Sequence, residues 1–301
     1  MVTMAAGVCP TSVQPLCYFR WEAEEPRGVI QIVHGLGDHA QRYGSLATRL
    51  AEAGYSVYAP DHIGHGVTGK MNGDFGRLPS KAHDKVIHGI EAMTCLIQQR
   101  HPGVPLIIIG HSWGSFLAQQ YCLRANGTVQ GLVLTGTSFF PIEAPPDFFD
   151  FNRKWRNNPD CESNEWLTRD PDVRKAARDD PYMVDILQNF MYERPEEALK
   201  LFTPFPNPID YPFSLLIQSG GDDPMSFGIC AVEILAEGYR SIAELTDVTL
   251  IRYPGARHEV YHETNKDEVI DDLIHTGCAN ASKSPQSSQE RREWCVCSIT
   301  G

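Results

Sequence analysis

The stretch that most constrains this chain is PLIIIGHSWGSFLAQQYCL, residues 105–123. Its opening apolar run has no polar alternation, so a strand built from it has no face to give to water. Such a strand needs layers on both sides, which a mostly parallel sheet with crossover helices supplies. Directly after it come Gly110, His111, Ser112, Trp113 and Gly114, and then an apolar helical pattern to about Leu123. A strand-to-helix turn this abrupt forces Ser112 toward strained backbone angles, and small residues two before and two after let the neighbouring chain segments approach. The turn exposes the Ser112 hydroxyl at a helix N-terminus, where partial positive charge favours a developing oxyanion.

The rest of the chain repeats the same alternation of apolar runs and helical patterns. Strands are expected at Leu16–Trp21, Gly28–Val33, 56–59, 105–109, Gly131–Thr135, 213–218 and Val248–Tyr253, and helices at 41–53 and 83–100. The regular pattern stops within residues 139–208, where proline and aromatic residues concentrate and a helical piece is expected at 196–202. That segment reads as a cap inserted in a core made of residues 1–138 and 209–278. Residues 279–301 are polar and serine-rich and read as a disordered tail. At 301 residues the core is large enough to need no disulfide or metal staple.

Serine is a poor nucleophile at neutral pH and needs a base, itself oriented by a carboxylate. On an elbow of this kind the chain order is Ser, acid, His. LLIQSGGDDPM sets Asp222 and Asp223 just beyond a late strand, and VTLIRYPGARHEV sets His258 in the loop after the last one. The residues alone leave Asp222 and Asp223 open. Upstream, the strand ending VHGLGDH supplies a tight turn whose backbone amides can hold an oxyanion, and the expected donors are the N–H groups of Leu36 and Trp113.

Taken together, VHGLGDHAQRY, APDHIGHG, IIIGHSWGSFLAQQY, QSGGDDP and YPGARHEVYHETNKDEV resemble the monoacylglycerol lipase and lysophospholipase branch of the α/β-hydrolases, the serine aminopeptidase S33-like group. The resemblance covers residues 28–274. EWLTRDPDVRKAARDDPYM is also similar to the lid of bacterial lysophospholipase-like members. It implies the α/β-hydrolase fold, with Ser112 as nucleophile, Asp223 as acid, His258 as base, and Leu36 and Trp113 as oxyanion donors. Trp113 stands where methionine is usual, so its ring is expected to crowd the acyl side. Ile63 stands where arginine is common, and the last helix departs from the family's pattern at His275.

Other classes fit poorly. A formal net charge of -12 argues against a nucleic-acid surface. The N-terminus MVTMAAGVCP lacks the basic and apolar regions of a signal peptide, and nine cysteines without regular spacing read as reduced thiols in a cytoplasmic protein. His62 and His65 sit in the family-like loop without a supporting carboxylate or thiolate set, so no metal is expected, and no cofactor. The expected activity is hydrolysis of carboxylic esters with an acyl chain, such as a monoacylglycerol or lysophospholipid. The expected partner is a small-molecule ester or lipid, with transient contact between the cap and a membrane surface. A peptidase or amidase, a small-ester esterase and a non-catalytic binder on the same fold are the alternatives. The aromatic residues of 139–208 suit both a small core of the cap and the lining of an acyl tunnel.

Overall fold

A computed structural model describes residues 2–139, 150–159, 161–162, 164–201 and 208–281. Eight strands form one sheet: β1 (Met4–Cys9), β2 (Leu16–Trp21), β3 (Gly28–Val33), β4 (Tyr55–Pro60), β5 (Leu106–His111), β6 (Gly131–Thr135), β7 (Ser214–Gly220) and β8 (Val248–Tyr253). Their order is β1-β2-β4-β3-β5-β6-β7-β8. From β4 to β8 every pairing is parallel, while β2 runs antiparallel to both β1 and β4. This is the α/β-hydrolase fold expected from the sequence. The expected strands all form, with shifts of a residue or two at their ends. β1 was not expected: MAAGVC is a short edge strand that alternates exposed and half-buried residues and has no buried apolar run to mark it.

The two faces of the sheet separate residue by residue. Leu106, Ile108, Leu132, Leu134, Leu215 and Ile217 face one apolar core, and Ile107, Ile109, Val133 and Leu216 face the other. This is the period of two expected of a strand, here buried on both sides. Helices α1 (Gly44–Glu52) and α2 (Gly66–Asn72) precede the long α3 (Ala82–Arg100) and α4 (Trp113–Cys122). Leu46 and Leu50 of α1 pack on one face, while Val86, Ile90 and Met93 of α3 and Leu117 of α4 pack on the other.

Between β6 and β7 lies α5 (Pro171–Asp179), and Pro195–Leu201 forms a 3-10 turn where a helical piece was expected. α5 begins by simple local chemistry: the Asp170 carboxylate accepts from the N–H groups of Asp172 and Val173, and Pro171 occupies the first turn. Phe151, Trp166, Leu167 and Ala177 from this excursion form a small core with Phe116 and Met225. Phe140, Phe148, Phe149, Phe202 and Phe205, also counted in the cap, lie outside the described residues. After α6 (Cys230–Ser241), the chain closes with α7 (Lys266–Asp272), a π turn at Leu273–Cys278 and α8 (Ala279–Ala281). Helix therefore runs three residues into the expected tail, because buried Ala281 belongs to the core beneath the sheet. Residues 282–301 lie outside the described residues. Among the described residues no helix is long and apolar enough to cross a membrane.

The topology itself locates a cleft. β4 lies on one side of β3 and β5 on the other, so the crossovers diverge beyond the carboxyl ends of β3 and β5. Val33 and Gly110 are in register there, and the two loops that follow carry Gly35–Asp38 and Ser112. α4 can start so close to β3 only because Gly114 has no side chain: a Cβ there would lie 2.2 Å from the Val33 carbonyl oxygen. Gly114→Ala should therefore cost about 3 kcal/mol by overpacking against backbone that cannot retreat. Thermal unfolding checks this, and an alanine variant as stable as the wild type would contradict the packing.

Candidate active site

Ser112 sits between β5 and α4 with φ 53° and ψ −126°, a region that side chains rarely adopt. The strain is held from several sides. Its N–H donates to the Thr135 carbonyl at 2.9 Å, and its carbonyl accepts from the Ser115 N–H at 2.8 Å and the Ser115 hydroxyl at 2.6 Å. Gly110 is required for the same reason as Gly114, since a Cβ on it would lie 2.8 Å from that of Ala118. The steric account of the pentapeptide thus has its counterpart in the fold.

His258 and Asp223 are brought together from the ends of β8 and β7. His258 Nδ1 lies 3.0 Å from Asp223 Oδ1, and both side chains are 1% exposed. The same Asp223 oxygen accepts from the Met225 N–H at 2.9 Å, which fixes the carboxylate. Asp222 lies elsewhere: its side chain pairs with Lys154 at 2.6 Å, near solvent. His258 Nε2 is buried and has no hydrogen-bond partner among the described residues. The His258 ring packs between His111, 4.9 Å away, and Trp166, 4.8 Å away. Gly136 makes room for this stack, because a Cβ there would lie 2.7 Å from the His258 ring.

Ser112, His258, Gly35 and Leu36 line one cavity of about 320 Å³. Its apolar wall comes largely from the excursion, through Trp166, Leu167, Met183, Ile186 and Leu187, and its polar wall includes Asn164, Asp180 and Gln188. The Trp113 ring does not line this cavity, against the expectation that it crowds the acyl side. It turns the other way, stacks on His65 at 5.4 Å and donates from Nε1 to the Tyr192 hydroxyl at 2.7 Å. Ile63 is buried in the apolar core.

The family described as "Serine aminopeptidase, S33" matches residues 24–265. The chain belongs to that family. This S33-family protein is also similar to a monoacylglycerol lipase of Mycolicibacterium smegmatis, 27% identical over 277 residues, covering 86% of this chain and 91% of the other. Its fold is similar to a thermostable carboxyl esterase from Bacillus coagulans, with TM-score 0.76, 21% identity, and 91% and 98% of the two chains covered. A soluble variant of the Saccharomyces cerevisiae monoglyceride lipase gives TM-score 0.65, 20% identity, and 91% and 95% coverage.

In the wall of the cavity, where Asp38 and Glu259 are lining residues, this S33-family chain holds an ionic cluster that the sequence reading missed. Arg42 donates to both oxygens of Glu259 at 2.7 Å each and to Asp38 at 3.0 Å, with all three side chains nearly excluded from water. The Tyr43 hydroxyl donates to the other Asp38 oxygen at 2.8 Å. Burial alone would raise the Glu259 carboxyl, but the Arg42 guanidinium overrides it and brings the group down to about 2. Burial opposes ionisation of Asp38 too, and Arg42 again outweighs it, leaving the carboxyl lowered. Asp38, His111 and Glu259 come close enough to suggest a cation site, but the guanidinium already fills that role. The spacing of Asp38 and Arg42 is readable on a helical turn, whereas Glu259 is 217 residues from its partner and nothing local announces it.

A second cluster straps the excursion to the His258 loop. The fully buried Glu263 carboxylate accepts from the N–H groups of Arg169, Arg257 and Thr264 and from the Arg169 guanidinium. Arg257 reaches back to Glu165 at 2.6 Å, and the Glu259 N–H donates to the Leu167 carbonyl at 2.8 Å.

These groups give the protein a defined response to acid. Burial is the first cause that lowers His34, His62, His65 and His111, with His65 and His111 brought down to about 3. Unfolded histidine titrates near about 6.5, so between these values the unfolded chain binds more protons. The stability from these neutral rings is complete above about pH 6.5 and is lost as pH falls. Asp38 and Glu259 add to the loss below about pH 4, where the unfolded carboxylates protonate. Thermal midpoints should be level above about pH 7 and fall progressively below about pH 6. A midpoint unchanged from neutral pH down to about 4.5 would contradict the buried neutral histidines.

Proposed function

We propose that this chain cleaves carboxylic esters with an acyl chain, as a monoacylglycerol lipase or lysophospholipase-like esterase. The observation that carries the reading is the placement of Ser112 on a strained elbow in the same cavity as His258, with His258 held by Asp223. Ser112 attacks the ester carbonyl while His258 takes its proton at Nε2, the nitrogen left without a partner. Asp223 fixes the ring through Nδ1 and stabilises the imidazolium. The tetrahedral oxyanion rests on the backbone N–H groups of Leu36 and Trp113, which flank the elbow. His258 then protonates the leaving alcohol, and water reverses the sequence. The similarity to a monoacylglycerol lipase over most of both chains supports an acyl ester as substrate.

Residues 139–208 act as the cap, which supplies the apolar wall that takes the acyl chain. Trp166 both packs the cap's core and lines the cavity, so this one aromatic residue suits both uses weighed from the sequence. Leu187 lines the cavity and is 42% exposed, and Phe190 is 43% exposed three residues on. Together they suit transient contact with a lipid surface.

Each buried CH₂ of the acyl chain contributes about 0.8 kcal/mol, or roughly fourfold in binding. The cavity lies at the low end of the usual range for ligand sites. Across p-nitrophenyl esters, kcat/KM should therefore rise from acetyl toward medium chains and then level, with S112A inactive throughout. A steady fall from acetyl onward would replace the lipid reading with a small-ester esterase, and an active S112A would remove the mechanism.

The acid is tested separately. Asp223→Asn should lower kcat by about 10⁴-fold, the order seen when a triad acid is neutralised. Asp222→Asn, which loses only the pair with Lys154, should leave kcat within about threefold. Steady-state kinetics of the two variants check the assignment, and reversed effects would overturn it.

A further inference from the structure

We infer that His34 and His65 are positioning residues that aim the oxyanion turn, each locking one of two consecutive peptide planes between Gly35 and Gly37. The inference rests on the hydrolase reading, since it concerns the amide proposed to hold the oxyanion.

Both rings are fully buried, and backbone partners fix their tautomers. His34 Nε2 receives the N–H of His62 at 3.1 Å, so that nitrogen carries no proton. The remaining ring proton sits on Nδ1, 2.9 Å from the Gly35 carbonyl, and is donated there. The Asp38 N–H also donates to this carbonyl, at 3.3 Å. In a trans peptide the C=O and the following N–H point in opposite directions. Holding the Gly35 carbonyl toward His34 therefore turns the Leu36 N–H away from it. Gly35 and Leu36 line the cavity, and Gly35 lies so near the nucleophile that a Cβ on it would be 3.2 Å from the Ser112 Cβ.

His65 repeats this logic one residue on. Its Nε2 receives the Gly37 N–H at 3.0 Å, and its Nδ1 donates to the Ile63 carbonyl at 2.8 Å. The same ring stacks on Trp113, whose amide is the second proposed donor. One imidazole therefore holds the turn that carries Leu36 and packs on the side chain of Trp113. Only a neutral ring can do this, because a proton on Nε2 would expel the Gly37 N–H. Burial keeps both rings neutral, with His65 brought down to about 3. Each position requires one donor and one acceptor at fixed places on an uncharged side chain, which accounts for the histidines at His34 and His65.

The test uses the full-length protein and a p-nitrophenyl ester. H65L and H34F remove the locks. H65Q returns an acceptor where Nε2 was, and H34N returns a donor where Nδ1 was. For H65L and H34F, kcat should fall about 10²-fold with KM changed less than about threefold, since a misaimed donor weakens only the transition state. Affinity for a boronic acid that mimics the tetrahedral state should fall in parallel. H65Q and H34N should recover at least about tenfold of the lost rate, which general damage to packing would not allow. Folded H65L and H34F with wild-type kcat would overturn the inference. Nitrogen NMR of the wild-type imidazoles gives a reading independent of variant folding: both rings should be neutral Nδ1–H tautomers, and an Nε2–H tautomer on either overturns it. A wild type that cleaves no ester would instead overturn the hydrolase reading, and the NMR result would still stand on its own.

Discussion

The backbone at Ser112 can hold its left-handed turn only while β3, β5 and α4 stay closer together than side chains ordinarily allow. Gly110 and Gly114 provide that closeness, and hydrogen bonds to the Thr135 carbonyl and from Ser115 hold the strained residue from both sides. The sheet matters to the site chiefly through this requirement. Its two apolar faces, each covered by helices, make the ends of β3 and β5 rigid enough to keep an unfavourable conformation in place. A looser scaffold would relax the turn and withdraw the hydroxyl from the cavity.

Around this fixed point the other groups arrive from far along the chain, and buried charge holds them in relation. Arg42 lies between Asp38, on the turn that follows β3, and Glu259, adjacent to His258. The two loops that must agree in position thus share one guanidinium. Such a cluster is a costly device in folding energy, since three charged groups leave water, and removing one partner alone typically costs about 3–5 kcal/mol. What it provides is registry: the bidentate geometry admits one relative placement of the loops.

Much of this was legible in the sequence because local rules governed it. Apolar runs such as LIIIG and GLVLT can be little other than doubly covered strands, and they formed where expected. The elbow, the His258 loop and the Asp222–Asp223 pair were readable from their order along the chain. The choice between the two aspartates needed the resemblance, because only the tertiary fold separates one facing His258 from one facing Lys154. β1 was missed because an edge strand has little apolar surface to show. The side to which the Trp113 ring turns was missed because it depends on His65 and Tyr192, neither of which is near it in sequence. Glu259 and Glu263 were passed over for a related reason: beside a histidine in a loop, a carboxylate looks like surface until its distant arginines are seen.

The strap built on Glu263 bears on how such proteins diversify. One carboxylate joins Arg169, on the excursion, to the backbone of the loop that carries His258, and Glu165 and Leu167 reinforce the joint. The excursion is therefore not an interchangeable module. A chimera that replaced residues 150–201 with the corresponding segment of a relative would leave the Glu263 carboxylate buried without its arginine and the loop without its brace. The excursion and the loop that carries His258 are inherited together here, so a transplanted segment would have to bring its own version of residues 257–265 with it.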